Sequence, residues 1–62
     1  MSERLLRRQE VEQLVRLRKT ALYDWIARGL FPRPVLVGNR SVAWRASDID
    51  KWISSRPERG ER

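Results

Sequence analysis

Two helical apolar periods, separated by a two-residue break and followed by a glycine, constrain the fold of this chain most. Apolar residues three and four positions apart lie on one face of a helix. Arg16-Leu17 interrupts the pattern, and Gly29 supplies the left-handed position at which helices commonly end. We therefore predict a first helix from about residue 8 or 9 to 15 and a second from about residue 18 to 28. The apolar residues of the two periods are Val11, Leu14, Val15, Leu22, Trp25 and Ile26.

The segment after the second helix is predicted to be extended. Phe31-Pro-Arg-Pro34 cannot continue a helix, since each proline favours extended geometry in the residue before it. Residues 35–37 and 42–44 show the alternation of half-buried strands. Gly38-Asn39 between them is typical of a hairpin turn, with a loop of either two or four residues. The chain is therefore expected to place a β-hairpin beside the two-helix corner.

Weaker signals lie on either side of this central region. Leu5-Leu6-Arg7 can add a strand or pack under the first helix. Ser47 is a candidate cap for a third helix, with Asp48 and Asp50 in its first turn and an apolar stripe behind them. We predict a mainly α fold, a winged helix-turn-helix in which three short helices carry a small β-hairpin wing. It spans residues 5–56, and residues 57–62 are expected to form a flexible tail.

The chain has room for one small hydrophobic core. It contains 62 residues and no cysteine, so apolar packing must provide the stability without disulfides or thiolate zinc sites. We expect the three tryptophans to belong to this core, because few other large side chains can fill it. The predicted core consists of Leu6, Val11, Leu14, Val15, Leu17, Leu22, Trp25, Ile26, Phe31, Val35 or Val37, Val42, Trp44, Ile49, Trp52 and Ile53.

The charge balance points to an anionic partner. The formal net charge is +6, and only Lys19 and Lys51 among the basic residues are not arginine. Arginine binds phosphate and the guanine edge with two parallel hydrogen bonds. No apolar run approaches the roughly 20 residues of a membrane span, and the N-terminus lacks the apolar region of a signal peptide. We therefore expect a cytoplasmic protein that binds nucleic acid and no membrane.

Catalysis is not expected. The chain has no histidine and no cysteine, so it lacks the usual nucleophile–base pairs and the nitrogen and sulfur ligands of metals. The carboxylates cluster at predicted helix starts, where they stabilise the helix by interacting with the positive end of its dipole. We predict no catalytic residue, no metal site and no cofactor.

The start of the second helix is the first predicted DNA-binding surface. In a helix-turn-helix this part of the second helix enters the major groove. Arg18 or Lys19 can reach guanine or a phosphate, Thr20 a thymine methyl or a phosphate, and Tyr23 a phosphate. The alternative is a solvated helix face. Asp24 can accept from a cytosine amine or pair with Arg28, and we favour the pairing.

The hairpin tip is the second predicted surface. Arg40 projects there between Asn39 and Ser41, where it can enter a minor groove or bind a phosphate. Arg45 can join this patch or neutralise Asp48. Arg7 and Arg8, ahead of the first helix, can add phosphate contacts.

These residues resemble the AlpA-like family of small phage-type regulators, within the wider MerR-like winged helix-turn-helix group that includes excisionases. The resemblance covers about residues 5 to 56. It implies that the second helix and the wing contact DNA. The matching segments are Leu5-Leu-Arg7, Glu10-Val11, Leu17-Arg-Lys-Thr-Ala-Leu-Tyr23, Ile26, Gly29-Leu-Phe-Pro-Arg-Pro-Val35, Gly38-Asn-Arg40, Val42-Ala-Trp44, Ser47-Asp-Ile49 and Trp52.

The chain departs from this family pattern at three positions. Arg16 stands where members usually have glycine, and Arg18 where they have a capping serine or threonine. Asp24 stands where they often carry a basic residue. The fold expectation is unaffected, but the set of base-reading residues is open.

The basic surfaces and the resemblance together are compatible with three functions. The first is a sequence-specific regulator of transcription that binds double-stranded DNA and acts positively, together with RNA polymerase. The second is an excisionase that bends DNA for an integrase. The third, of another class, is an adapter that docks on an acidic protein. The protein is expected to act as a monomer or as a cooperative assembly on DNA.

Overall fold

A computed structural model describes residues 4–58 and confirms the winged helix-turn-helix. A two-helix corner precedes a β-hairpin, and a third helix follows. Residues 57 and 58 have no regular structure, and the rest of the predicted tail lies outside the described residues. The elements in chain order are β1 (Leu5–Leu6), α1 (Arg8–Val15), α2 (Lys19–Ala27), β2 (Val35–Val37), β3 (Ser41–Arg45) and α3 (Ala46–Ser54).

The strands form one antiparallel sheet in the order β1-β3-β2. Leu6 lies opposite Trp44, and Val35 lies opposite Ala43. The backbone N–H of Ala46 also donates to the carbonyl of Arg4 at 2.8 Å. Of the two alternatives for Leu5-Leu6, the structure therefore shows the strand. Because this strand extends the hairpin to a three-stranded sheet, "mainly α" describes the fold only loosely.

The ends of the first two helices follow the sequence signals. The Glu10 carboxylate accepts a hydrogen bond of 2.9 Å from the backbone N–H of Arg7, at the start of α1. Gly29 follows α2 with φ of 76°. Its N–H donates to Ile26, and the N–H of Leu30 donates to Trp25, which is the hydrogen-bond pattern of a Schellman motif. The predicted left-handed glycine is confirmed.

The core lies where both helices of the corner and α3 meet the sheet. The largest fully buried side chains are Trp44, Leu22, Ile49 and Val11. Around the buried residues pack several partly buried ones that were also predicted, namely Val15, Leu17, Trp25, Ile26 and Trp52. The core role of all three tryptophans is confirmed.

Some core predictions are wrong. Leu14, Val42 and Ile53 are 54%, 36% and 41% exposed, whereas Ala43, which was not predicted, is buried. Leu14 and Ile53 share an apolar stripe with buried residues, but each short helix contacts the core over a narrower strip than its apolar stripe. In β2, Val35 is half-buried and Val37 is exposed, which settles the alternative between them.

Two local predictions also need correction. The hairpin loop has three residues, 38–40, because Val37 lies opposite Ser41. The N-cap of α3 is Arg45, and Ser47 lies inside the first turn. β3 runs directly into α3, so the last strand residue occupies the cap position. Asp48 lies in the first turn, but Asp50 does not.

Two tryptophans attach the segment after α2 to the core. The Trp44 indole N–H donates to the Pro32 carbonyl at 2.9 Å, and the Trp52 indole N–H donates to the Leu30 carbonyl at 2.8 Å. The Phe31 ring packs edge-on against Trp52, with centroids 4.7 Å apart. These contacts fix the path of the chain from α2 to the wing.

Candidate nucleic-acid interface

The first turn of α2 is a concentration of positive charge. Its N-cap is Arg18, in extended geometry (φ −81°, ψ 168°) and without a side-chain capping hydrogen bond. Lys19 and Thr20 follow, and all three residues are exposed. The first turn contains no acidic residue, whereas the first turns of α1 and α3 contain Glu10 and Asp48. The positive end of this helix dipole is therefore left without a negative side chain.

The remaining residues of α2 divide into a side that packs on the core and an exposed side, as predicted. Leu22 is buried and Trp25 and Ile26 are half-buried, whereas Thr20, Tyr23 and Asp24 are exposed. Asp24 pairs with Arg28 at 3.1 Å, which confirms the favoured alternative. This pair reduces the repulsion that an isolated carboxylate on this face would exert on a phosphate.

The wing tip presents three exposed polar side chains, those of Asn39, Arg40 and Ser41. Gly38 turns the chain into this loop with φ of 73°. Among residues 4–58, no carboxylate pairs with Arg40. Its guanidinium is therefore available to a ligand outside the chain.

A groove of about 520 Å³ lies between the start of α1, Tyr23 of α2 and the wing. Arg7, Arg8, Tyr23 and Ser41 all line it. Tyr23 is 38% exposed, and its ring tilts against Trp44 with centroids 6.4 Å apart. The structure thus brings together predicted residues from three separate parts of the sequence.

Two of the predicted cations are already paired. Arg8 Nε lies 2.9 Å from Glu12 Oε2, and both atoms are buried without another hydrogen-bond partner in the described structure. Arg45 lies 3.9 Å from Asp48, so the structure favours the neutralising alternative for this residue. Neither residue offers the unshared charge of Arg18, Lys19 or Arg40.

Sequence reasoning left out of the predicted site two exposed arginines that have neither an ion pair nor a side-chain hydrogen bond among residues 4–58. Arg16 lies between α1 and α2 and lines a second groove of about 530 Å³, together with Arg18. Arg33 lies exposed between two prolines before the wing. Neither side chain has an acidic partner within the described part of the chain. The break in the apolar period at Arg16 was the available signal, since it placed this residue at the helix corner.

Between Arg4 and Glu58, no cluster of acidic side chains has the arrangement of a metal site. No helix in that range has the length and apolar character needed to span a membrane.

Comparison with known proteins identifies similar sequences. A family model described as the prophage CP4-57 regulatory protein (AlpA) matches residues 4–57. An uncharacterized protein, ORF88 of Enterobacteria phage P4, is 39% identical over 54 residues, which cover 87% of this chain and 61% of that protein. The DNA-binding transcriptional activator AlpA of Escherichia coli (strain K12) is 32% identical over 59 residues, which cover 86% of this chain and 84% of that protein. The chain thus spans less than two thirds of the phage P4 relative.

Proposed function

Because the chain belongs to the AlpA family of prophage regulatory proteins, we propose that it is a sequence-specific, double-stranded-DNA-binding regulator of transcription. The observation that carries this proposal is the start of α2. Arg18 and Lys19 are exposed there, at a helix end with neither a capping side chain nor an acidic residue. Such an end binds an anion, and DNA presents a dense row of phosphates.

In the proposed complex, α2 lies in the major groove. Arg18 and Lys19 contact guanine or the flanking phosphates, Thr20 contacts a thymine methyl or a phosphate, and Tyr23 contacts a phosphate. The groove lined by Arg7, Tyr23 and Ser41 faces the DNA backbone beside the wing. Arg8 and Arg45 contribute mainly to the fold, through their ion pairs with Glu12 and Asp48.

The wing makes the second contact. Arg40, flanked by Asn39 and Ser41, enters the adjacent minor groove or binds a phosphate, and a narrow A·T-rich groove favours it electrostatically. A three-residue loop keeps this arginine close to the end of the sheet. The two contacts together read one short site.

We propose that the protein acts positively, and that it acts with other proteins. A single module of this size buries about 600–1,000 Å² of its surface on DNA, which gives modest affinity. The E. coli relative is named as a transcriptional activator, which favours activation here. Cooperative neighbours on DNA, or contact with RNA polymerase, would supply the remaining affinity.

The first experiment identifies the binding sites. Purified protein is used to enrich fragmented genomic DNA at near-physiological salt, and the enriched sites are footprinted. Sites beside promoters would support the regulator. Sites clustered at a phage attachment region would instead identify an excisionase that works with an integrase. No enrichment at any salt concentration would overturn DNA recognition and favour an adapter for an acidic protein.

The contribution of the wing can be tested with Arg40→Ala. We expect weaker binding and a salt dependence that is flatter by about one phosphate contact, a change of roughly 0.9 in the slope of log K against log salt. Lys51→Ala is the matched control, because Lys51 is exposed on α3, outside both surfaces. An Arg40→Ala variant with the affinity and slope of the control would exclude the wing from the complex.

A further inference from the structure

Arg16 occupies an unusual backbone conformation at the corner between α1 and α2. Its φ of 62° and ψ of 34° place it in the left-handed region, and its N–H closes α1 by donating to Glu12 at 2.8 Å. Within residues 4–58, the other positions with positive φ are glycines, Gly29 and Gly38. Glycine adopts this conformation without steric cost, whereas a long side chain does not. Arginine is therefore a costly residue for this turn.

The electrostatic environment of α1 does not explain this choice. A positive side chain near the end of a helix interacts favourably with the helix dipole. The last turn of α1 contains no basic residue, so a cation could provide that interaction there without a left-handed backbone. The left-handed backbone at Arg16 therefore needs a further reason, and the direction in which it projects the side chain supplies one.

The side chain of Arg16 is not used by the fold. Arg16 is exposed, and no carboxylate of the described chain pairs with it. It lines a groove with Arg18, and Leu17 between them is half-buried against the core. Glu12 is the acidic residue in this groove, and its carboxylate already faces Arg8 at 2.9 Å. Two uncompensated guanidinium groups thus flank one groove at the corner of the two helices.

From this juxtaposition we propose that Arg16 is a DNA-backbone contact, which binds the phosphate next to the one reached from Arg18. The inference rests on the proposed DNA-binding function and extends it to a residue outside the two predicted surfaces. Arginine binds phosphate with paired, charge-assisted hydrogen bonds, which offset the strain of the turn in the complex but not in the free protein. Arg16 therefore strengthens binding to DNA of any sequence and adds no sequence specificity.

Arg16→Gly separates this role from a structural one. Glycine relieves the left-handed strain, so the melting temperature should stay the same or rise. Binding to a short fluorescent duplex of random sequence should weaken about tenfold, the value of one charge-assisted hydrogen bond. The slope of log K against log salt should flatten by about 0.9, which corresponds to one phosphate. Random-sequence DNA is the right probe, because phosphate contacts do not depend on sequence.

Two further variants decide between explanations. Arg16→Gln keeps a side chain on the strained backbone but removes the charge. Its affinity should fall by the same factor as that of Arg16→Gly. Arg16→Lys keeps the charge and should retain most of the salt slope. If Arg16→Gly and Arg16→Gln bind like the parent while Arg18→Gln binds weakly, the role of Arg16 is overturned and the proposed function stands. If the parent protein itself does not bind the duplex at any salt concentration, both proposals are overturned.

Discussion

The segment that leaves α2 and the first turn of α2 differ in how their polar groups are satisfied. After α2, the carbonyls of Leu30 and Pro32 accept hydrogen bonds from the two tryptophans of the core. At the start of α2, Arg18 and Lys19 are exposed without an acidic partner in the described chain, and the helix has no side-chain cap. The end of α2 is thus held by contacts that stabilise the fold, whereas the Arg18 and Lys19 side chains at its start have no acidic partner among residues 4–58.

The stability of the protein and its affinity for DNA are therefore expected to depend mainly on opposite ends of α2. Substitutions around the tryptophan contacts should change the free energy of unfolding, and substitutions in the first turn should change affinity for DNA. Variants at Trp44, Arg18 and Asp24 test that separation.

The largest effect is expected at Trp44, which is fully buried and donates to Pro32. Trp44→Ala should cost about 3–5 kcal/mol of stability through the cavity that it leaves. A domain of this size has a total stability of about 3–9 kcal/mol, so this variant should lose at least about a third of its stability. Urea denaturation followed by circular dichroism measures the loss.

Trp44→Phe is the informative companion, because it keeps most of the ring and loses the indole donor. It should fold, with a loss of about 1–3 kcal/mol for the carbonyl left unpaired. A Trp44→Ala variant as stable as the parent would show that the contacts after α2 do not support the fold.

An intermediate effect on stability is expected at Arg18, where substitution should stabilise the protein rather than destabilise it. Arg18→Ser should add a capping hydrogen bond and stabilise the protein by about 1 kcal/mol, since serine is among the best N-cap residues. The same variant should bind duplex DNA more weakly, because it removes a cation from the interface. Thermal melting and fluorescence anisotropy provide the two measurements. A variant that loses stability, or that gains affinity, would contradict the separation at this position.

The smallest effect on stability is expected at Asp24. Asp24→Asn removes an exposed pair with Arg28 that lies one helical turn away, which should cost about 0.3–0.5 kcal/mol. Affinity for DNA should rise, because a carboxylate leaves the exposed face of α2 and the Arg28 guanidinium is released. Titration at several salt concentrations tests this expectation. Lower affinity would instead indicate that Asp24 accepts a hydrogen bond from a base.

Local signals in the sequence predicted the elements well. The helical periods, Gly29 and the alternating residues of the wing each act over a few residues, and all three helices and the hairpin lie where these signals placed them. The errors occur where an element meets another. Ser47 is not the cap of α3, because β3 continues to Arg45 and fixes where the helix begins. Leu14 and Ile53 are exposed, because packing decides how much of an apolar stripe is covered.

The sequence also identified the basic residues at the start of α2 and on the wing, but it showed only in part which arginines of the chain are paired with carboxylates. Arg8, Arg28 and Arg45 are paired with carboxylates, whereas Arg16, Arg18 and Arg40 have no such partner among residues 4–58. An ion pair at four-residue spacing can be anticipated on a helix, and the Arg28 pair was. The groove that joins Arg7, Tyr23 and Ser41 could not be anticipated, since its walls are far apart in sequence.

By itself, the sequence determined the order and type of the elements, the net positive charge and the side of α2 that is exposed. These properties depend on residue periodicity and composition, which are local. Only the tertiary structure decided that Leu5-Leu6 joins the sheet, that two indole groups hold the segment after α2, and that Arg7, Tyr23 and Ser41 line one groove. Each of these depends on contacts between segments that become neighbours only when the core forms.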